Sequence, residues 1–94
     1  MTTRDIYITK MKLQLDELNL QMGKLESRAQ EAREDMRDKY KVEMAKLHAQ
    51  SMLAKTKLAE MQASSESTWD GMVAEMNKVR DAFVHSFSYF KSQV

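Results

Sequence analysis

The sequence contains two histidines and 14 acidic residues, which are types that perform catalysis or bind metals, but their spacing argues against both roles. Cysteine is absent, so the chain has no thiolate nucleophile, no disulfide and no cysteine-ligated zinc site. Neither His48 nor His85 has a carboxylate three residues away, the Glu-x-x-His spacing with which helical bundles hold paired metal ions. We therefore expect both histidines to be surface or helix-seam residues, and we predict no metal site and no cofactor.

One group of acidic residues lies close together, but two arginines are interleaved with it. The acids are Glu31, Glu34, Asp35 and Asp38, and the arginines are Arg33 and Arg37. Alternating charges of this kind indicate ion pairing on a solvated helix surface rather than acid–base catalysis or metal binding. The sequence also lacks a glycine-rich phosphate loop, a nucleophile elbow and a zinc-binding spacing. We predict that the protein is not an enzyme.

The composition predicts an all-α protein of one small domain. The 94 residues include no proline and two glycines, and Met, Lys, Glu, Leu, Ala and Gln are frequent, all of which favours helix. The net charge of +1 gives no electrostatic reason to expect binding to nucleic acid. No apolar stretch approaches the roughly 18 residues that span a bilayer, and charged residues interrupt the apolar N-terminal ones. We expect a cytoplasmic location.

The first third of the chain carries an uninterrupted heptad seam. Its apolar residues alternate in steps of three and four: Ile8, Met11, Leu15, Leu18, Met22, Leu25, Ala29, Ala32 and Met36. Such a seam predicts a helix with a helical partner, and we interpret it as a self-association seam. Steps of four and four through Tyr40 to Met44 then form a stutter, where the helix is free to bend. The predicted element is one long coiled-coil helix over residues 1–63.

A second apolar stripe lies nearly opposite the first on the same predicted helix. Ile6, Leu13 and Leu20 are seven residues apart, and a helix with two apolar faces is expected to be contacted on two sides. Further along, another face outside the seam comprises Val42, Ala45, Ala49, Met52, Ala59 and Ala63. Alanine favours helix wherever it lies, so the alanines of this face are equally explained by helix propensity alone.

After a predicted turn at residues 64–67, a shorter amphipathic helix is expected over residues 68–94. Ser67 and Asp70 approximate a capping box at its start. Its apolar face again follows steps of three and four and is rich in aromatic residues: Trp69, Met72, Met76, Val79, Phe83, Phe87 and Phe90. This face is therefore predicted to be covered by another structure rather than to belong to a disordered tail.

Three covers for the aromatic face are open. The helix could fold back as a hairpin onto the small residues of 42–63, or pair with the same helix in other copies. It could instead dock on a different protein, or on a membrane surface. The membrane is the least favoured partner because residues 66–94 carry four acids and three bases, whereas interfacial helices usually have a basic polar face.

The layout resembles a family of short bacterial coiled-coil proteins described as stress-response proteins. The resemblance covers most of the chain and rests on two motifs, K-x-x-L-D-E-x-N at residues 12–19 and T-W-D at residues 68–70. It implies a coiled-coil fold with no catalytic residue and no cofactor. The last helix here is richer in phenylalanine than the family pattern, which favours a dedicated docking surface.

Two functions follow as hypotheses. In the first, the protein is a non-catalytic coiled-coil protein that self-assembles through the seam at residues 8–36, in a structural or stress-associated role. In the second, it is a small accessory or regulatory subunit that docks its helices on a larger enzyme or complex. The location of the aromatic residues separates the two, since they face the protein's own helices in the first and a foreign partner in the second.

Overall fold

The computed structural model describes residues 2–94, which form three helices and no strand. The helices are α1 (Thr3–Gln30), α2 (Glu34–Gln62) and α3 (Glu66–Gln93). Each has 28 or 29 residues and is therefore about 42 Å long. The bundle they form measures 50 × 20 × 18 Å, so its length is close to that of one helix. The prediction of an all-α protein is confirmed.

Side-chain contacts define the direction of each helix. His48 on α2 lies beside Glu26 and Ser51 beside Asn19, so the two helices are antiparallel. Lys57 meets Glu75 and Gln50 meets Ser86, so α3 runs antiparallel to α2. Helices α1 and α3 are consequently parallel neighbours, which completes an up-down-up bundle with short connections.

The structure differs from the prediction of one continuous helix over residues 1–63. A turn at residues 31–33 separates α1 from α2, where the backbone N–H of Glu31 bonds to the carbonyls of Arg28 and Ala29. The stretch contains no glycine or proline, so local propensity favours helix throughout. Folding back allows α1 and α2 to bury their apolar seams against each other, and this tertiary gain outweighs propensity.

The stutter at residues 36–44 follows this turn instead of marking a bend within a long helix. Because α1 and α2 are separate helices, the heptad phase of one does not need to continue into the other. Tyr40 and Met44, which carry the stutter, are both buried in the core. The phase change lies within the first turns of α2, after the turn at residues 31–33.

The second turn lies close to its predicted place. Helix α2 ends at Gln62 and α3 begins at Glu66, two residues earlier than predicted, with Ser65 as its N-cap. The approximate capping box at Ser67 and Asp70 does not mark the helix start, since both residues lie inside α3. A capping box that the sequence reading missed lies at the start of α1, between Thr2 and Asp5.

All three helices contribute to one apolar core, and no polar or charged side chain is buried among residues 2–94. Fully buried side chains include Met11 of α1, Leu47 and Met61 of α2, and Phe83 and Phe90 of α3. Within the described residues, no helix combines the length and apolar content needed to cross a membrane.

Candidate functional site on the outer face of the first helix

The predicted self-association seam lies inside the bundle. Five of its nine residues are buried in the core, and the other four are partly buried and pack against it. The buried ones are Met11, Leu15, Met22, Leu25 and Ala29, and the partly buried ones are Ile8, Leu18, Ala32 and Met36. Helices α2 and α3 of the same chain therefore occupy the position expected for a second copy.

The aromatic face of α3 is also covered by the chain itself, which is the fold-back alternative. Met76, Phe83, Phe87 and Phe90 are buried, and Trp69, Met72 and Val79 pack partly buried against the core. The small residues proposed to receive these rings behave differently from one another. Ala54 is buried, whereas Ala45, Ala49 and Ala59 are exposed. Most of these alanines therefore lie on the surface and do not receive the rings.

The Phe90 ring instead packs against Tyr40 of α2. The two ring centroids are 5.5 Å apart and the rings are tilted by 53°. The Tyr40 hydroxyl donates a 2.9 Å hydrogen bond to the Gln93 carbonyl near the end of α3. This contact fixes the C-terminal end of α3 to the first turns of α2.

A second cluster, the Arg4 clasp, fixes the opposite end of the bundle. The Arg4 Nη2 donates to the carbonyls of Met61 and Ser64, at 2.8 Å and 2.7 Å, where α2 ends. The Arg4 guanidinium also lies 5.0 Å from the centroid of the Trp69 ring, and the Tyr7 ring meets Trp69 edge-on at 5.7 Å. Trp69 was selected from the sequence, but Arg4 and Tyr7 were missed because no local spacing links them to it.

The Tyr7 hydroxyl ties α1 to α3. It donates a 2.7 Å hydrogen bond to Asn77 Oδ1. Burial raises the pKa of the Tyr7 hydroxyl above its usual value of 10.0; the nearby Arg80 charge lowers this pKa and the Asp81 charge raises it. The clasp and this bond set the register between the parallel helices.

The clearest candidate surface is the stripe of large apolar residues that the bundle leaves uncovered on α1. Ile6, Leu13 and Leu20 expose 43%, 64% and 56% of their surface. Because they are seven residues apart, they share one side of the helix, opposite the buried seam. Val84 of α3 is also exposed and lines a shallow groove with Leu13. We call Ile6, Leu13, Leu20 and Val84 the α1 face.

Charged residues follow the edge of the α1 face on the side of α3. Lys10, Glu17 and Lys24 are each four residues after one of its apolar residues, so their charges alternate along α1. All three are exposed. Among residues 2–94, neither Lys10 nor Glu17 forms an ion pair, although Glu17 accepts a 2.9 Å hydrogen bond from Gln21.

A separate group of exposed apolar residues lies on α2. Val42, Met52 and Leu53 expose 69%, 62% and 49% of their surface, and we call them the α2 patch. Residues 42 and 53 are eleven apart, which is close to three helical turns, and they therefore share one side of α2. The patch shares no residue with the α1 face.

The residues first considered for chemistry lie apart from one another. His48 Nε2 is 3.3 Å from Glu26 Oε2 on the surface, and His85 is exposed on α3. Over the described range, no group of three acidic, cysteine or histidine side chains is arranged to hold a metal ion. Comparison of the chain with protein-family models, curated proteins and solved structures gives no match. The exposed surfaces of the bundle are therefore the features of this chain that bear on its function.

Proposed function

We propose that the protein is a non-catalytic, self-assembling helical protein whose copies pair through the α1 face. The observation that carries the proposal is the exposed row of Ile6, Leu13 and Leu20 in heptad register. Scattered apolar residues are normal on a protein surface, but a row of three aligned along one helix suits a second helix. The self-assembly hypothesis is thus retained with a different surface from the buried seam.

The charge pattern supports an antiparallel pair with two-fold symmetry. When Leu13 meets Leu13 of the second copy, Ile6 of each copy lies opposite Leu20 of the other. In this register Lys10 comes within one residue of the level of Glu17 in the second copy, and the symmetry repeats the pair. Residues on the same edge of antiparallel helices meet each other, so Lys10 of each copy faces Glu17 of the other.

The bundle is large enough for such an interface. A stable interface usually covers about 800 Å² on each partner. One long side of the bundle has a projected area of 50 × 20 = 1000 Å². An interface of about 800 Å² would therefore take up most of this side, along α1 and the adjacent side of α3.

The test compares two glutamate substitutions at equally exposed apolar residues. We expect the 11.0 kDa chain to sediment as a dimer, Leu13→Glu to be monomeric, and Met52→Glu in the α2 patch to remain dimeric. Leu13 and Met52 expose 64% and 62% of their surface, so the control matches the variant in exposure and charge. A monomeric wild-type protein, or a Leu13→Glu variant that is still dimeric, contradicts the proposal.

A charge swap tests the orientation of the pair. Lys10→Glu places like charges opposite each other and should weaken the dimer. Adding Glu17→Lys to it reverses both charges and should restore the dimer. If the double variant is weaker than either single variant, the antiparallel register is wrong, even where the α1 face is correct.

The second candidate function is an accessory subunit that docks on a larger protein. The observation that favours it is the α2 patch, which pairing through α1 leaves uncovered. Native mass measurement of the protein purified from its own cells distinguishes the two functions. A stoichiometric second protein, lost with Met52→Glu and retained with Leu13→Glu, would favour the accessory role. A stress-associated role of the kind implied by the family resemblance, and the cytoplasmic location expected from the composition, are compatible with either proposal.

A further inference from the structure

A cleft of about 570 Å³ lies where the end of α1 meets the first turns of α2. Its floor is formed by Ala29, Tyr40 and Met44, all buried in the core, and the exposed Ala45 lines it further along α2. The Tyr40 hydroxyl is bonded to the Gln93 carbonyl, so it is already satisfied without a ligand in the cleft. The floor is therefore mainly apolar.

The rim of the cleft is charged, and cations dominate one end. Arg37 and Lys41 are one helical turn apart on α2, and both are exposed. The Arg37 Nε donates a 2.7 Å hydrogen bond to the Ala32 carbonyl, which holds the guanidinium near the turn while its other nitrogens remain outside this bond. At the other end, His48 lies against the only acid of the rim, Glu26, at 3.3 Å.

We propose that this cleft binds a small amphiphile with a carboxylate head and an alkyl chain. The head lies between Arg37 and Lys41, and the chain lies over Ala29, Met44 and Ala45. A planar guanidinium bonds a carboxylate with two parallel hydrogen bonds, and the neighbouring ammonium adds a second cation. Methionine adapts its shape to alkyl chains of different lengths. The volume is within the usual range of 300 to 1,000 Å³ for small-molecule sites.

This site is independent of the proposed pairing through α1. No residue of the α1 face lines the cleft, which lies at the turn between α1 and α2. Ligand binding is therefore expected to be the same in the wild-type protein and in Leu13→Glu. The two proposals can fail separately.

The first test is calorimetric titration of the full chain with octanoate and decanoate below their micellar concentrations. Each added methylene should tighten binding by about fourfold, the ratio expected for burial of one such group. Decanol, which has the chain without the charge, should bind at least about tenfold more weakly than decanoate. Equal binding of decanol, or no binding of monomeric carboxylate, overturns the proposal. Binding only to phosphatidylglycerol vesicles would also overturn it, because it would identify a membrane surface as the ligand.

Variants locate the site. Arg37→Gln with Lys41→Gln should weaken decanoate binding by about tenfold to a hundredfold. The matched control removes two positive charges from the same helix outside the cleft, with Lys39→Gln and Lys46→Gln. The control should bind as the wild type does, and an equal loss in the control overturns the site.

A third variant tests the apolar part of the cleft without changing its charge. Ala45→Leu adds a branched side chain to the cleft at an exposed helical residue, so the fold should be retained. Circular dichroism of the variant should match that of the wild type, which checks that the helices are intact. Binding of decanoate should fall more than binding of acetate, and an unchanged decanoate affinity would show that the chain does not lie over Ala45.

Discussion

The ends of all three helices converge on Arg4, so removing its side chain should destabilise the protein measurably. In Arg4→Ala, the Ser64 carbonyl loses its donor and the Trp69 ring loses the cation 5.0 Å from its centroid. The Met61 carbonyl loses the guanidinium but still accepts from the Ser64 hydroxyl and N–H. The cation at the end of α2 also interacts favourably with the helix dipole. An alanine side chain has neither a hydrogen-bond donor nor a charge, so it replaces none of these contacts.

The expected magnitude follows from these contacts, with a discount for exposure. A hydrogen bond from a charged donor contributes about 1.5 to 3 kcal/mol when buried, but one Nη2 here serves several carbonyls and Arg4 is only half-buried. The cation–π contact adds about 0.5 to 1 kcal/mol at an exposed site. We therefore expect a total loss of about 2 kcal/mol in the free energy of unfolding. For a domain of this size that lowers Tm by about 8 to 16 °C.

The assay is urea unfolding followed by circular dichroism and by the fluorescence of Trp69, the only tryptophan. Placing each variant in the Leu13→Glu background keeps dimerisation out of the measured free energy. Lys24→Ala is the matched control, since it removes an exposed cation from the same helix and should change stability by less than about 0.5 kcal/mol. Arg4→Lys retains the charge without the guanidinium fork and should give an intermediate value.

Arg4→Ala as stable as Lys24→Ala would show that the Arg4 clasp does not stabilise the fold. If Arg4→Lys has the same free energy of unfolding as the wild type, a point charge near the end of α2 is sufficient for the stabilisation. In that case the geometry of the guanidinium over Trp69 would have no energetic consequence.

Two further predictions test the core and the bond between α1 and α3. Phe83→Ala should cost about 3 to 5 kcal/mol, because Phe83 is fully buried, whereas Tyr89→Ala on the exposed side of the same helix should change stability by less than about 0.5 kcal/mol in the same urea assay. Tyr7→Phe should cost about 1 kcal/mol near neutral pH, because it removes the hydrogen bond to Asn77. The pKa of Tyr7 is raised in the folded state, so its contribution is complete below pH 10.0 and is lost as the pH rises through the folded pKa. The difference between the wild type and Tyr7→Phe should therefore be constant up to about pH 10 and shrink as the pH rises further through the raised pKa, and a constant difference there would show that the hydroxyl does not titrate with folding.

The helical class and most of the core were predictable because apolar periodicity reports burial. The steps of three and four in α1 and α3 select residues that are buried or packed against the core, such as Leu15, Met22 and Phe83. Periodicity does not report which chain provides the cover. The same seam is expected for a coiled coil between copies and for a bundle within one chain, and here α2 and α3 provide it.

The turn at residues 31–33 was not predictable from local signals. Residues 29–35 contain neither glycine nor proline, and Arg33 caps α2 without a side-chain hydrogen bond. The stutter at 36–44 predicts a local change in the supercoil where the helix is free to bend, and it lies inside α2 rather than at the turn. The turn is favoured by packing along the whole length of both helices, and a window of a few residues carries no information about that packing.

The Arg4 clasp was missed for a related reason. Arg4 bonds carbonyls 57 and 60 residues away, and its only sequence sign was an isolated tryptophan near a turn. Arg4 reaches the end of α2 only because the antiparallel helices α1 and α2 are nearly equal in length. Such a long-range contact therefore depends on where each helix begins and ends. The lengths of α1 and α2 are set by the turn at residues 31–33, which local helix propensity does not predict.

The apolar residues that are most conspicuous in the sequence are buried, so the exposed apolar residues are the better candidates for a functional surface. The aromatic residues of α3 attract attention, yet Phe83 and Phe90 are fully buried and are required for the fold itself. Leu13 is conspicuous for the opposite reason, since the fold has a complete core without it. A side chain that the core does not need, repeated at heptad spacing with alternating charges beside it, is better explained by an external contact than by folding. For this protein, substitutions at Leu13 are therefore expected to change assembly with little effect on the monomer's stability, whereas substitutions at Phe83 are expected to destabilise the monomer itself.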